Sequence, residues 1–517
     1  MKAKFLSIIF ILGLLFSNSC TKDFEEINTN PNSPSADQAA PDMLLTNALE
    51  SMTDRVHEIF LGHEMGSAWV QHMAKVQYTD EDRYIYRPDV INTAWNSLYA
   101  ASGMDIQTIY RIAKKNDYKN YEGVSLVLKA YVVSLLTDMF GDVPYTEAWL
   151  AVDDVTKTLA KYDSQESIYR DLIAKLDTAS TVLLSEDNAP IQGDILYDGD
   201  VTKWKQFANS LRLRLLLRMS AKDVAFVTAE MTKMLGDAAT YPLFASNADN
   251  ASLMYLGSAP NNHPINENRK TRDDHRLSET LVDAMYTKNP YVDWRITAYA
   301  EYDAGSGDYV GLPNGLTSAD AAAFKTNGLK FTSKLGSDFT AATAPGVLMS
   351  YAELQFILAE AAVKGYIGGG LTKAQEYYEE GILGSYLQHA ETIVAVCESD
   401  WANYVDETSI NTIYADYMDN GGMWVATDAA SAMEQIGYEK WVALFDQGLQ
   451  AFIEWRRLGI PALEAPAAGN NGDKIPSRYP YPTDERTRNG ANLQTAVSAQ
   501  GFSALDDLNG KVWWNVQ

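Results

Sequence analysis

The sequence predicts a mainly α-helical protein, in which a tetratricopeptide-type helical-repeat scaffold carries long loop-rich insertions. Apolar residues recur at helical spacing in several segments, and two of these segments are joined by a glycine-rich turn. Other stretches are rich in Gly, Pro, Asn and Asp and lack this period. Helices paired by short turns are typical of a helical-repeat body.

The first twenty residues have the pattern of an export signal. Lys2 and Lys4 precede an apolar run over residues 5–16, which is shorter than the roughly 20 residues that a transmembrane helix needs. A small residue, Ser19, stands directly before Cys20, as in a bacterial lipobox. We therefore predict a signal peptide over residues 1–19 and lipid attachment at Cys20, with a plain secretory signal cut near Ser19 as the alternative.

The next segment, residues 20–41, is polar and interrupted by Pro and Asn, which predicts a flexible lipid-anchored tether. Fully extended, this tether would span about 65 Å. Residues 42–517 contain no linker that would separate independent domains, so we expect one large body. Besides Cys20 the only cysteine is Cys397, which we interpret as a small buried hydrophobic residue.

Helix starts and apolar stripes are readable at three places in the body. Asp163, with Glu166 reaching back, predicts the cap of a helix with one apolar face over residues 168–183. A second helix is marked by Trp204, Phe207, Leu211 and Leu215. A third apolar stripe runs over residues 351–362, ends at Gly365 and resumes over residues 374–382 after a turn of three glycines.

Two regions, about residues 240–350 and 465–492, are predicted to be long loops with a few short strands or helices. Ordered loops on a rigid scaffold are where binding residues usually lie. The candidate ligand-binding residues therefore come from polar segments that combine aromatic rings with hydrogen-bond donors. They are Tyr78, Arg83, Tyr84, Tyr86 and Trp95 in one segment, and Tyr291, Trp294 and Tyr302 in the loop-rich middle. Each of these side chains could equally be packed in the hydrophobic core.

Composition and charge narrow the class of ligand. The formal charge is −26 at pH 7, and loss of the two signal lysines makes the mature chain still more negative. This charge disfavours nucleic acid, and disfavours a membrane surface except through the lipid anchor. The 30 Tyr and 11 Trp offer flat apolar faces with a polar rim, which suit neutral ligands such as sugars and peptides.

Motifs of the common enzyme classes do not occur in the sequence. His63-Glu64 lacks the later histidine of a zinc protease, and no Gly-x-Ser-x-Gly elbow is present. His57, His63 and His72 are interpreted as helix histidines rather than as metal ligands. We predict no cofactor. Ca²⁺ stays open as an alternative because of the Asp- and Asn-rich loops, although no twelve-residue EF-hand pattern supports it. A glycan hydrolase stays open, since 68 acidic residues supply many carboxylate pairs.

Several short sequence segments along the chain together resemble the SusD/RagB family of nutrient-binding outer-membrane lipoproteins. Among them are Thr137-Asp138-Met139-Phe140-Gly141-Asp142-Val143-Pro144, Lys203-Trp204-Lys205-Gln206-Phe207-Ala208-Asn209-Ser210-Leu211-Arg212-Leu213-Arg214 and Glu454-Trp455-Arg456-Arg457-Leu458-Gly459, and their common order along nearly the whole chain makes the set specific. We interpret the arginines of these segments, and Arg218 one turn beyond the second, as structural groups that pair with carboxylates or helix ends, not as ligand contacts. One departure is Asp293-Trp294-Arg295, where the family pattern is closer to Asp-Pro-Arg.

The resemblance implies a tetratricopeptide-containing body that is lipid-anchored at the outer membrane and faces the exterior. It also implies a partner, a SusC-like TonB-dependent transporter, to which the protein passes an oligosaccharide or a peptide. A surface-exposed protein that binds a nutrient, most often an oligosaccharide, and is not an enzyme is therefore our leading hypothesis. The alternatives are a surface glycan hydrolase and a helical-repeat adaptor that binds only protein.

Overall fold

The computed structural model describes residues 40–288, 291–302, 307–326, 332–400 and 409–516. The predicted signal peptide, Cys20 and almost all of the predicted tether lie outside these residues. The body is mainly helical, with 58% helix and few strands.

The α-helices vary from single turns to the 22 residues of α4. They are α1 (Pro41–His57), α2 (Pro88–Asn96), α3 (Gly103–Asn116), α4 (Lys119–Phe140), α5 (Gln165–Thr178), α6 (Val201–Met219), α7 (Val224–Gly236), α8 (Pro264–Arg269), α9 (Glu279–Val282), α10 (Ile296–Tyr299), α11 (Ser318–Thr326), α12 (Ser337–Thr340), α13 (Tyr351–Val363), α14 (Gly370–Gln388), α15 (Ala390–Asp400), α16 (Ile410–Met418), α17 (Ala429–Ala443), α18 (Gly448–Leu458), α19 (Thr483–Arg488) and α20 (Gly490–Gln500).

Short π-helical and 3₁₀ segments connect some of these helices. The π-helical segments are Ile59–Ser67, Ser97–Ser102, Ala179–Leu183 and Asp283–Thr287, and the 3₁₀ turns are Glu81–Arg83, Leu150–Val152, Val155–Lys157 and Asn247–Asp249. The first π-helical segment follows α1 after one residue, Glu58, whose carboxylate accepts the amides of Phe60 and Leu61.

Side-chain caps explain where several helices begin. Asp200 accepts the amide of Lys203 at the start of α6, and Ser350 accepts the amide of Glu353 at the start of α13. The predicted cap of α5 is wrong by one residue, because Ser164 accepts the amide of Ser167 in that role. Asp163 instead accepts the amides of Tyr145 and Thr146, which holds the chain after α4 against the start of α5.

The helices α13 and α14 form the predicted helix–turn–helix unit around the glycine turn. Gly365 and Gly369 have φ angles of +72° and +100°, a conformation that L side chains rarely adopt. The two helices approach closely at Gly381, where an added Cβ atom would lie 2.8 Å from the ring of Phe356. A glycine at this contact therefore lets the two helices pack, which the apolar period alone did not specify.

The helix α4 has the length and hydropathy of a membrane-spanning segment, but 94% of its most apolar stretch is buried in the body. It carries Lys129, whose ammonium lies 4.9 Å from the ring centre of Trp149 and 5.3 Å from that of Tyr145. Burial lowers the pKa of Lys129 to about 8. α4 is the central core helix on which the neighbouring helices pack.

Three two-stranded antiparallel sheets connect distant parts of the described chain. The strands are β1 (Met73–Lys75), β2 (Val143–Pro144), β3 (Tyr162–Asp163), β4 (Ala251–Met254), β5 (His275–Leu277) and β6 (Pro345–Met349). β1 pairs with β5, β2 with β3 and β4 with β6. The β1–β5 pair sets Met73 opposite Leu277 and Lys75 opposite His275, and thereby brings the early loop to the loop-rich middle.

A chain of buried ion pairs joins the core helices. Arg218 of α6 pairs with Asp138 at the end of α4 and, at 3.0 Å, with Glu454 of α18. The same Glu454 accepts from Lys440 of α17 at 2.7 Å. Burial alone would raise the pKa of Glu454, but the cations around it outweigh this effect and hold the pKa well below its ordinary value. The arginine of α6 is thus structural, as predicted.

The network continues through the last turn of α18. Arg457 donates to both carboxylate oxygens of Glu360 on α13, each at 2.6 Å. Arg214 of α6 donates to Glu353 of α13 through Nε at 2.8 Å. Arg456 donates to the carbonyl oxygens of Asp138 and Ser477. Because each buried charge has a fixed partner, these bonds determine how the helices are oriented.

Candidate ligand-binding site

A cavity with an exposed aromatic ring lies where two loops leave the β1–β5 pair. Residues 76–78 follow β1 and residues 271–274 precede β5, so the antiparallel pairing places the two segments side by side. The amide of Val76 donates to the carbonyl of Asp274 at 2.9 Å and extends this pairing. A cavity of about 720 Å³, which we name the Tyr78 cavity, is lined by Val76, Gln77, Tyr78, Thr271, Arg272, Asp273, Asp274, Ser318 and Ala322.

Tyr78 is the most exposed tyrosine among the described residues, with 62% of its surface accessible. Its backbone is left-handed, with φ +52°, which costs a tyrosine roughly 1–3 kcal/mol. Strain of this kind persists where the surrounding structure enforces it, and it is common at binding sites. The loop therefore holds a large ring in solvent at an energetic cost.

The Arg272 guanidinium covers part of that ring. Its central carbon lies 4.2 Å from the ring centre of Tyr78, within cation–π range. Arg272 also donates through Nε and Nη2 to one oxygen of Asp274, at 2.9 and 2.7 Å. The other oxygen of Asp274 accepts a hydrogen bond from the side-chain amide of Gln77. The carboxylate thus orients both the arginine and the glutamine beside the ring.

Each carboxylate that lines the Tyr78 cavity is paired with a cation. Asp274 is paired with Arg272, and Asp273 lies 2.6 Å from the ammonium of Lys334. Burial alone would raise the pKa of Asp273, but the bond from Lys334 and the nearby arginines outweigh it and lower the pKa. A general acid for glycoside hydrolysis needs the opposite shift, a raised pKa. The cavity therefore offers a stacking face and amide or guanidinium donors, which suit a neutral polar ligand.

Two carboxyl groups with a pKa raised to about 6 by burial, Asp82 and Asp142, lie outside the lining of this cavity. Asp82 accepts the amide nitrogen of Asn314 at 2.7 Å, and Asp142 accepts the backbone amide of Gln165 at 2.8 Å. Asp82 therefore links its turn to the loop that carries Asn314, and Asp142 links the loop after α4 to the start of α5.

The structure brings the early candidates together only in part. Arg83 donates to the carbonyl of Ala468 at 2.9 Å and so fixes the second loop-rich region. Tyr84 is buried against Trp69, and Tyr86 is half-buried against the core. Trp95 is buried too, with its ring centre 5.2 Å from that of Phe140. Of this group Tyr78 is the residue that lines the cavity.

The candidates from the loop-rich middle lie elsewhere. Tyr291 and Tyr302 are 47% and 37% exposed but do not line the Tyr78 cavity. Trp294, the residue that departs from the family's sequence pattern, is buried. Its indole nitrogen donates to the carboxylate of Asp416 at 3.3 Å. Its neighbours Asp293 and Arg295 form a buried pair at 2.6 Å. That segment is part of the core.

Sequence reasoning missed Arg272, Asp274 and Gln77. The charged run at residues 272–274 directly before a short strand was the available signal, but its partner loop lies almost two hundred residues earlier. Pairing of strands so far apart is not readable from one sequence, because three-residue strands carry too little pattern to define a register.

A second cavity, of about 420 Å³, lies among residues 337–347, 388–391 and 445–447, and we name it the Asp446 cavity. Its large aromatic residues, Phe339 and Phe445, are buried. It lacks an exposed ring on which a sugar could stack, so the Tyr78 cavity is the better candidate for a saccharide site.

Comparison with known proteins supports a binding role. A family model described as "Starch-binding associating with outer membrane", the SusD-like_2 model, matches residues 31–482. No curated protein sequence matches the chain significantly.

Solved structures similar to the chain share its fold over nearly its whole length. One is named a chitin-binding protein, with 26% identity, a TM-score of 0.77, and coverage of 92% of this chain and 100% of that chain. A SusD homolog from Bacteroides fragilis has 26% identity, a TM-score of 0.74, and coverage of 92% and 99%. A chitin-binding SusD homolog from Flavobacterium johnsoniae has 23% identity, a TM-score of 0.70, and coverage of 92% and 98%. These structures have a tetratricopeptide-like helical fold, so the predicted fold class is confirmed.

Proposed function

Because the chain belongs to the SusD-like family of starch-binding proteins that associate with the outer membrane, we propose that it captures an oligosaccharide at the cell surface and delivers it to a SusC-like TonB-dependent transporter. The predicted family resemblance is confirmed by this membership. The observation that carries the proposal is the strained, exposed Tyr78 ring at the mouth of a 720 Å³ cavity. A ring held in this way provides a stacking face for a sugar without the cost of ordering a flexible side chain.

The ligand we favour is a neutral β-linked glycan of N-acetylated sugars, since a similar structure with 26% identity is named a chitin-binding protein. The acetamido groups of such a glycan would accept hydrogen bonds from Gln77 and Arg272 while one sugar ring stacks on Tyr78. Peptides and starch-like glycans are the competing cargoes.

Capture without cleavage is supported by the ion pairs of the Tyr78 cavity, where both carboxylates are held by cations. The hydrolase alternative would need an acid with a raised pKa and a partner carboxylate on the two sides of the bond. The adaptor alternative would leave the cavity without a small ligand.

Isothermal titration calorimetry of the purified protein against chitin oligosaccharides, malto-oligosaccharides and neutral peptides tests the proposal. We expect one class of ligand to bind and to be recovered intact when the mixture is analysed for products. Tyr78→Ala should weaken that binding at least tenfold. Tyr118→Ala is the matched control, because Tyr118 is 41% exposed and does not line the cavity. If Tyr291→Ala or Tyr302→Ala weakened ligand binding tenfold and Tyr78→Ala did not, the site would instead lie in the loop-rich middle. Cleaved products would replace the proposal with a surface hydrolase.

The surface location rests on the predicted lipid attachment at Cys20 and the family's association with the outer membrane. We expect Cys20→Ser to release the protein from the outer-membrane fraction, while the wild type stays there and co-purifies with a TonB-dependent transporter. Retention of Cys20→Ser in the membrane would contradict lipid anchoring.

A further inference from the structure

Two neighbouring histidines, His57 and His63, meet the distant His263 behind the wall of the Asp446 cavity. His57 ends α1, His63 lies in the π-helical segment Ile59–Ser67, and His263 precedes α8, and all three are buried around the carboxylate of Asp446. Asp446 lies in the turn between α17 and α18 and also lines the cavity. The cluster is separate from the Tyr78 cavity.

The atoms of this cluster face a common point. Nδ1 of His57 lies 4.0 Å from Oδ2 of Asp446, and one nitrogen of His263 completes a group whose ligand atoms all lie within 4.8 Å of one another. His63 donates through Nε2 to the other oxygen of Asp446 at 2.7 Å and so fixes the carboxylate. Asp446 itself is held in a left-handed conformation with φ +67°, a second strained residue beside a cavity.

Hydrogen bonding determines which atoms are free to bind a cation. Nε2 of His57 donates to the carbonyl of Val347 at 3.1 Å, so the proton is on Nε2 and Nδ1 presents a bare lone pair to the carboxylate. Among the described residues, Nδ1 of His57 and Nε2 of His263 are buried with no hydrogen-bond partner. Nδ1 of His57 and Oδ2 of Asp446 are thus two acceptors 4.0 Å apart. Nε2 of His263 carries that ring's proton, because its Nδ1 accepts from the amide of Ile265, so it can bind a cation only in the other tautomer.

We propose that His57, His263 and Asp446 bind a divalent first-row transition-metal ion, Zn²⁺ in the first instance, with one coordination position open toward the Asp446 cavity. Two imidazoles and one carboxylate are a common ligand set for such ions, and the carbonyl of Val347 supplies the outer bond that orients His57. His63 is a positioning residue, because it acts on the carboxylate rather than on the ion.

The distances allow this ion after a small closure. Ligands around tetrahedral zinc are about 3.3 Å apart when each lies near 2.0 Å from the metal. The observed separations of 4.0–4.8 Å therefore shorten by about an ångström when the ion binds. On binding, the ring proton of His263 moves from Nε2 to Nδ1, at the expense of the 3.2 Å bond that Nδ1 accepts from the amide of Ile265.

The bound ion would connect α1, the segment before α8 and the α17–α18 turn, and so stabilise the folded state.

The test uses the purified, untagged protein after EDTA treatment and dialysis. Calorimetric titration with ZnCl₂ is expected to show one equivalent bound per chain, with a rise in Tm and, for Co²⁺, visible absorption bands of a four- or five-coordinate site. Asp446→Asn keeps the shape of the side chain and tolerates a left-handed backbone, and His263→Asn keeps an acceptor for the amide of Ile265. Both variants are expected to bind Zn²⁺ at least tenfold more weakly than the wild type.

His275→Gln is the matched control, because His275 is equally buried but pairs with Glu64 at 3.3 Å outside the cluster. It is expected to keep the Zn²⁺ affinity and the cobalt spectrum. The proposal would be overturned if the wild type bound no stoichiometric Zn²⁺, or if both cluster variants bound it as tightly as the wild type. A buried water would then be the bridge between the three side chains. Near-UV circular dichroism of each variant shows whether it has folded, and either folded variant is sufficient for the test.

Discussion

The helical core and the Tyr78 cavity use charge in opposite ways. In the core, Arg218, Glu454 and Glu360 are almost completely buried, and each is paired with a partner on another helix. At the cavity, Arg272 and Tyr78 are exposed and lie on loops beside two short paired strands, Arg272 before β5 and Tyr78 after β1. The core charges therefore determine how helices pack, whereas the cavity charges orient a surface for a ligand. This difference predicts that substitutions in the first region affect stability and those in the second affect binding.

The largest effect is expected from removal of one buried cation. Arg218→Met leaves the carboxylates of Asp138 and Glu454 buried with one partner fewer, which costs roughly 3–5 kcal/mol. Equilibrium unfolding in urea, followed by tryptophan fluorescence, measures the change in the free energy of unfolding. Arg170→Met is the control, because Arg170 makes two ion pairs at the surface and should cost at most about 1 kcal/mol. Similar losses for both variants would remove the distinction between the two regions.

Acid should weaken the core through the same network. Burial alone would raise the pKa of Glu360, but Arg457 and Lys364 outweigh it and lower the pKa from the ordinary 4.5 to about 2. Between these values the unfolded chain binds a proton that the folded protein does not. The contribution of Glu360, on the order of 3 kcal/mol, is therefore complete above about pH 5 and is lost as the pH falls toward 2.

Glu360→Gln tests this pH dependence. The variant should be less stable than the wild type at pH 7, yet lose less stability between pH 5 and pH 3.5, as measured by urea unfolding at each pH. Glu166→Gln, at an exposed pair with Arg170, should follow the wild-type curve. Parallel curves for the wild type and Glu360→Gln would show that this carboxylate does not titrate with a lowered pKa.

The two regions also differ in how far the sequence predicted them. Helical period and capping residues predicted the scaffold, and the arginines of α6 were correctly interpreted as partners of buried carboxylates. Local signals were sufficient there because a helix encodes its own face within a dozen residues. The shift of the α5 cap from Asp163 to Ser164 shows the limit, since both residue types can cap and the tertiary contact decides.

Of the residues that line the candidate cavity, the sequence analysis named Tyr78 and not the others. Tyr78 was singled out because a polar, aromatic-rich segment surrounds it, but Trp95 and Trp294 have the same kind of neighbourhood and are buried. Exposure of a ring depends on which distant segment covers it, and a three-residue strand pair decides this for Tyr78. The histidine cluster was missed for the same reason, because its carboxylate, Asp446, lies almost four hundred residues from His57.

A smaller effect, mainly on binding, is expected from removal of the cation over the ring. Arg272→Gln removes the guanidinium that lies on Tyr78 and pairs with Asp274. We expect roughly a three- to tenfold loss of affinity for the best glycan, which corresponds to about 1 kcal/mol. The free energy of unfolding should fall by about 1 kcal/mol, because the variant loses the contact with Tyr78 and a partly exposed ion pair with Asp274. Arg488→Gln, at an exposed pair, should change neither quantity. Equal affinity of Arg272→Gln and the wild type would exclude the arginine from the site.

The smallest effect concerns the backbone strain at Tyr78 itself. Tyr78→Ala keeps the left-handed strain and loses the contact with Arg272, so it should be less stable than the wild type by about 1 kcal/mol. Tyr78→Gly also loses the ring but relieves the strain, and it should be more stable than Tyr78→Ala by about 1 kcal/mol. At Tyr377, a half-buried ring in α14 that also contacts a cation, the order should reverse, because glycine in a helix is about 1 kcal/mol worse than alanine. The same order at both positions, measured by urea unfolding, would show that Tyr78 is not strained, and the argument that its ring is held out for a ligand would then rest on exposure alone.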